Sequence, residues 1–185
     1  MKLGRIHPNV IVRQISPNQS DRSVTAPNLI VIHSTESHDV PRSAQDLRSV
    51  AAWFNNPAAQ ASSHVIVDAD GNSARCVTDD KKAWTCVNFN SVSLNIEQIG
   101  FASFGRLKWR ARWREIRESA RWIARWSRKY GIPIRKGEVS GSSVTRSGVT
   151  THAALGQAGG GHVDPGPYPL RRVLILARLY RVALR

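Results

Sequence analysis

The chain has 185 residues, 41% hydrophobic and 22% charged, a make-up that accommodates one domain with a sizeable core and excludes a disordered tract. Its 27 Lys and Arg against 13 Asp and Glu leave a net charge of +14, which points to an anionic partner: nucleic acid, anionic lipid or anionic cell-wall polymer. No apolar run approaches the ~18 residues of a membrane span, and the opening stretch MKLGRIHPNVIVRQISPNQS lacks a signal-peptide core, so something else is expected to deliver the protein beyond a membrane.

Residues 1–27 are polar and carry Pro8, Pro17 and Pro27, which predicts an irregular arm wrapped on the domain formed by 28–185. The run Leu29 to Ile32 then reads as a strand buried on both faces, ending at His33. Leu47, Val50, Ala51 and Phe54 recur at helical spacing, which predicts a helix with Ser43 as its N-cap, stopped by Pro57. SSHVIVDADGNSARCVTD is a predicted hairpin turning at Asp70-Gly71, with His64 opening its first strand near the same sheet edge as His33. SVSLNIEQIGFAS alternates as a strand and carries Glu97 in its second half, where a glutamate is unusual. A solvent-facing position on a half-buried strand would also account for it.

WRARWREIRESARWIARWSRKYG is predicted to be one helix, with Trp109, Trp113, Ile116, Ala120, Ile123 and Trp126 or Ala124 inward, arginines outward and Gly131 as C-cap. LRRVLILARLYRVALR closes the chain as a basic amphipathic helix. Before it, GGGHVDPGPY can be neither helix nor strand interior. Its glycines and Pro165 make it a shaped loop, and shaped loops commonly carry function. The fold class is therefore α/β: a single domain with a mixed central sheet flanked by helices.

Several chemistries are absent from the pattern. GQAGGG is not a phosphate loop, no GxSxG elbow is present, and Cys76 and Cys86, ten apart, suggest neither a zinc knuckle nor a disulfide framework. Nothing like a helix-turn-helix or RNP motif supports a nucleic-acid site. What remains are His33, His64, Glu97, His152, His162 and Asp164 at the ends of predicted elements. A zinc hydrolase needs three ligands and a further carboxylate to take a proton from water, and this inventory suffices. Six histidines could equally be structural or exposed.

The order of short motifs decides between these. VIHSTE, SSHVIVDADG, the Ala83-Trp84 pair, NIEQIG, THAALG and Asp164-Pro165-Gly166 resemble the zinc-dependent N-acetylmuramoyl-L-alanine amidases, a family that includes phage endolysins, muropeptide-recycling amidases and peptidoglycan recognition proteins. The resemblance spans roughly residues 28–180. It implies a zinc ion (Zn2+) held by His33, His152 and Asp164, Glu97 as the carboxylate base, peptidoglycan as substrate and the fold of that superfamily. Trp84 is expected to contact substrate, and His64 to contact the glycan or orient a ligand, a packed histidine being the alternative. Three departures stand out: Thr85 follows Trp84 where histidine is frequent, Ser63 precedes His64 where some members have a catalytic tyrosine, and His162 stands where lysine is frequent.

His162 and Asp164 could each bind zinc; set two apart in an extended loop, they are expected to face opposite ways. Asp164, directly before Pro-Gly, is then the ligand and His162 the rim donor to a developing oxyanion. The GGHVDPGP form looks most like actinobacterial phage endolysins. With no signal-peptide core, that implies synthesis in a host cytoplasm and release through a holin-type membrane lesion; the net positive charge leads to the expectation of a monomer held to the anionic envelope or a membrane surface by its basic face. A muropeptide-binding recognition protein of the same fold is the alternative, although a receptor has no need of a base.

Overall fold

A computed structural model of the protein describes residues 4–38, 40 and 44–184. In chain order its elements are β1 (Val10–Arg13), β2 (Gln19–Asp21), β3 (Leu29–Ser34), α1 (Gln45–Asn55), β4 (Val65–Val67), β5 (Ser73–Arg75), β6 (Lys81–Ala83), β7 (Ser93–Gln98), α2 (Arg106–Ala111), α3 (Trp113–Tyr130), β8 (Glu138–Ser140), β9 (Ser143–Arg146), β10 (Gly148–Thr151) and α4 (Leu170–Ala183). The central sheet has six strands in the order β1-β5-β4-β7-β3-β10, antiparallel only between β5 and β4. It is the mixed sheet flanked by helices that the sequence predicts.

Alternation along β3 and β7 sorts the two faces of this sheet. Ile30 and Ile32 with Leu94 and Ile96 turn toward α3 and α4 and join Trp109, Ile116, Ile123, Trp126, Val173 and Tyr180 in the largest core cluster. The other face is split. Leu47, Ala51 and Phe54 of α1 cover Ile66 and Ala74, while Leu29 and Val31 pack with Cys86, Phe89 and Leu155. Between these two small cores the same face of β7 carries Ser93, Asn95 and Glu97, all buried. Both cysteines are free and buried, and burial pushes their thiols up to about 12, so they pack as small hydrophobes.

The arm is not irregular. β1 extends the central sheet alongside β5, and β2 pairs antiparallel with β6. The buried Asn18 donates to the carbonyls of Phe54, Asn56 and Ala61, and Arg22 reaches the carbonyls of Asp79 and Ser91. Prolines confine such strands to an edge or a short rung rather than forbid them. Ser43, the expected N-cap of α1, lies outside the described residues.

The predicted single helix over 109–131 is two helices. Arg112 interrupts it at φ −81°, ψ 46°, and its guanidinium donates to the Ile99 carbonyl. The break rotates Trp113 off the inner stripe that Trp109 and Ile116 keep, leaving it 45% exposed under Arg114 and Arg117. Gly131 ends α3 at φ 71°, as a C-cap should. β8, β9 and β10 lie between the long helical pattern and the GGGHVDPGPY loop, where the sequence predicts no element; GVTT is short, and its parallel pairing with β3 makes it a strand.

Candidate metal centre and catalytic cleft

β7, β3 and β10 run parallel, so their carboxyl ends emerge together, which is where open α/β sheets form their ligand crevices. Glu97 and His33 are register partners near the ends of β7 and β3, and His152 directly follows β10. Asp164 arrives from the loop before α4. His33, His152 and Asp164, all buried, each offer one ligand atom within 4.8 Å of the others.

Hydrogen bonds fix which ring nitrogen each histidine presents. His152 Nε2 lies 2.9 Å from the Gly159 carbonyl, which can only accept, so Nε2 carries the hydrogen. His33 Nε2 donates likewise to Asn95 Oδ1 at 3.1 Å. Both Nδ1 lone pairs then face the Asp164 carboxylate, at 3.0 Å from Oδ1 for His152 and 3.6 Å from Oδ2 for His33. Lone pairs converging on a carboxylate in a buried site call for a cation between them. Two imidazole nitrogens and one carboxylate are a donor set for a divalent transition metal, and ligand histidines characteristically donate their other N–H in this way.

Electrostatics prepare the same state. Burial, followed by the neighbouring His152, lowers His33 to about 3 and keeps it neutral as a ligand must be. Burial works against the Asp164 charge, but the adjoining His152 and His33 rings, and the Ser34 N–H that donates to Oδ2, hold its carboxyl below the usual range. Glu97 shows the opposite balance. Burial first, then the charges of Asp164 and Glu36, raise its proton affinity well above that of an ordinary glutamate, and its Oε2 is buried without a hydrogen-bond partner.

The Asp164 loop is held from behind. Trp109 Nε1 donates to the Pro165 carbonyl at 3.0 Å, and Gly166, at φ 66°, lies so close to Ala102 that a Cβ there would stand 2.0 Å from the Ala102 oxygen. The Asp164-Pro165 peptide is cis. His162, 61% exposed at its side chain, stacks on His152 with ring centroids 4.4 Å apart, and its Nδ1 is 3.8 Å from Asp164 Oδ1. The expectation that His162 and Asp164 face opposite ways fails here, because extended residues two apart share a side. His162 nonetheless sits at the rim.

A cavity of about 580 Å³ opens over this cluster, lined by His33, Glu97, His152, His162 and Asp164, with Trp84, Thr85, Trp53 and Glu36 around its mouth. Trp84 thus lines the cleft. His64 does not: it is fully buried, its Nδ1 accepting from the Asn95 N–H at 3.1 Å and its Nε2 facing the Lys81 carbonyl at 3.1 Å. It opens β4 at the strand's amino end, whereas the site gathers at carboxyl ends. His64 is a structural residue beneath the cleft, and its expected substrate contact is withdrawn.

Sequence reasoning missed Asn95, which orients His33, and Trp53, exposed beside the cleft. Both left a signal. Asn95 is a polar residue two before Glu97 on the same strand face, and Trp53 is a large aromatic off the apolar stripe of its helix.

A family model described as N-acetylmuramoyl-L-alanine amidase matches residues 23–167. No curated protein sequence matches the chain. Among solved structures it is similar to the hydrolase AmiA of Staphylococcus aureus in complex with its ligand, at 21% identity and a TM-score of 0.71 over 96% of this chain and 85% of that one. It is similar also to an AmpD derivative, at 19% identity and 0.64 over 95% and 99%. The Ph2119 endolysin of a Thermus scotoductus MAT2119 bacteriophage follows at 17% identity and 0.60 over 91% and 99%. At these identities the likeness is one of fold.

Proposed function

Because the chain belongs to the N-acetylmuramoyl-L-alanine amidase family, we propose that it is a zinc-dependent peptidoglycan hydrolase cutting the amide between N-acetylmuramic acid and L-alanine. We further infer that it serves as a phage endolysin. The observation that carries the enzymatic reading is Glu97, a buried carboxylate with a free oxygen on the cavity wall, one strand from His33. A muropeptide-binding protein that does not cut would gain nothing from this costly group.

His33, His152 and Asp164 would hold the zinc. When bound, it supplies Lewis acidity that strengthens a water nucleophile and polarises the scissile carbonyl. Glu97 takes the proton of the attacking water and passes it to the alanine nitrogen as the C–N bond breaks, acting as base and then as acid. Its high proton affinity suits the second half of that task. His162 donates a hydrogen bond from the rim to the oxygen that gains charge in the tetrahedral transition state. Trp84 and Trp53 offer flat apolar faces to the substrate at the mouth of the cleft.

The test is incubation with purified peptidoglycan, with and without a chelator and with zinc restored. New free amino groups on L-alanine, abolished by chelation and recovered with zinc, are expected. Their absence under every metal condition would replace the enzyme with the muropeptide-binding reading. The endolysin role makes its own demand: a monomer produced in a bacterial cytoplasm should lyse cells only when the membrane is opened by a second agent. No helix among the described residues is long and apolar enough to cross a membrane.

A further inference from the structure

α4 has two apolar sides. Val173, Leu174, Ala177 and Tyr180 face the core. On the outer side Ile175, Leu179 and Val182 form a stripe at spacings of four and three residues, exposed by 48%, 43% and 58%, and Leu107 on the neighbouring α2 is exposed by 79%. A groove of about 580 Å³ runs between the two helices, with Arg106 and Arg110 on one wall and Arg171, Arg172, Ile175 and Leu179 on the other. Neither helix contains an Asp, Glu, Asn, Gln, Ser or Thr. Every exposed polar side chain on them is therefore an arginine or a lysine, apart from the ends of buried aromatics.

We propose that this groove docks the protein on an anionic phospholipid bilayer. The Ile175–Leu179–Val182 stripe enters the boundary between headgroups and acyl chains, while the flanking arginines extend their charged ends to lipid phosphates. The composition favours this occupant over the others. A second copy of the chain would bring +14 against +14. A soluble anionic polymer would engage the arginines and leave the aliphatic stripe in water. A protein partner would find no neutral or acidic hydrogen-bonding group on either helix to set its register. A bilayer needs none, because it offers only negative charge above hydrocarbon.

The proposal is independent of catalysis, so binding is what is measured. The full chain is mixed with vesicles of phosphatidylglycerol and phosphatidylcholine, with vesicles of phosphatidylcholine alone, and with inorganic polyphosphate as a soluble polyanion. Co-sedimentation with the anionic vesicles and none with neutral ones is expected. The pair Ile175→Asn with Leu179→Asn, at exposed positions that leave the core untouched, should weaken vesicle binding tenfold or more and leave polyphosphate binding unchanged. The pair Arg171→Gln with Arg172→Gln should weaken both, by about fivefold for each arginine. Thermal unfolding of each variant verifies the fold. Failure of the wild type to bind anionic vesicles, or vesicle binding indifferent to loss of Ile175 and Leu179, would overturn the proposal; the second result would show plain attraction to polyanions.

Discussion

Replacing Glu97 by Gln keeps the shape of a buried side chain and removes its ability to take a proton. How much that costs depends on whether another carboxylate can stand in, and the cleft holds only two besides Glu97 among its described lining residues. Asp164 has its oxygens against His33, His152 and the Ser34 N–H. Glu36 is exposed, and its Oε1 is taken by the Ser34 hydroxyl and the Ala102 N–H. With no replacement at hand, the full ~10²–10⁴ of a positioned base should be lost from kcat, about 3–5 kcal/mol on the barrier. The three expected ligands are untouched, so zinc content should stay at one per chain. The assay is release of free L-alanine amino groups from peptidoglycan, beside metal analysis of the same preparation. Turnover within tenfold of the wild type would remove Glu97 from the mechanism, and loss of zinc would show it to be a ligand.

Asp164→Ala should lose zinc and activity together, whereas His162→Ala should keep zinc and lose ~10²–10³ in turnover, as for removal of one oxyanion donor; a zinc-free His162→Ala beside a zinc-loaded Asp164→Ala would reverse the two roles. Trp109→Phe keeps the ring against Tyr168 but leaves the buried Pro165 carbonyl without its donor. It should cost ~1–3 kcal/mol of stability and weaken zinc binding, and unchanged denaturant midpoint and metal affinity would refute the anchoring role. Burial opposes the Asp79 charge, but Arg75 and Lys129 outweigh it and hold the carboxyl at about 2, against 3.8 when unperturbed. That stability is complete above pH 4, is lost as pH falls through 2, and amounts to about 2 kcal/mol; Asp79→Asn should flatten the acid limb of a stability–pH curve, and an unchanged limb would count against it. If the basic surface holds the enzyme on an anionic envelope, rising salt should release it from walls while hydrolysis of a short soluble muropeptide changes little, and equal sensitivity of the two would argue otherwise.

His33 and Glu97 are legible as site candidates because they lie toward the ends of readable strands, and Asp164 because it precedes Pro-Gly, whereas His152 is legible only through the order of motifs that carries the family resemblance. Periodicity marks where a strand lies and which residues share its face. It says nothing of direction, and direction decides whether a residue at a strand end reaches the cleft. That is why His64 reads as a site residue and turns out to lie beneath the site. The same gap hid β10, whose GVTT has no apolar pattern of its own and exists through its parallel pairing with β3. Arg112 breaks an unbroken helical pattern where its guanidinium is claimed by the Ile99 carbonyl and the Glu115 carboxylate, a contact that propensity cannot carry.

The proposed metal ligand and the proposed base occupy one rung of one parallel pair, His33 opposite Glu97, with Asn95 one pleat behind. Their separation is thus a property of the sheet rather than of any loop, and it survives whatever happens to the cleft's rim. A single-residue insertion or deletion within β3 or β7 would turn one of the two into the helix-facing core, leaving no half-active intermediate for mutation to improve upon. Asp164 and His162 have the opposite character, since a loop can be lengthened, retyped or exchanged as a cassette against an unchanged rung. Diversification of such a catalyst, by evolution or by design, should therefore run through the segment after β10, with β3 and β7 inherited as a fixed pair.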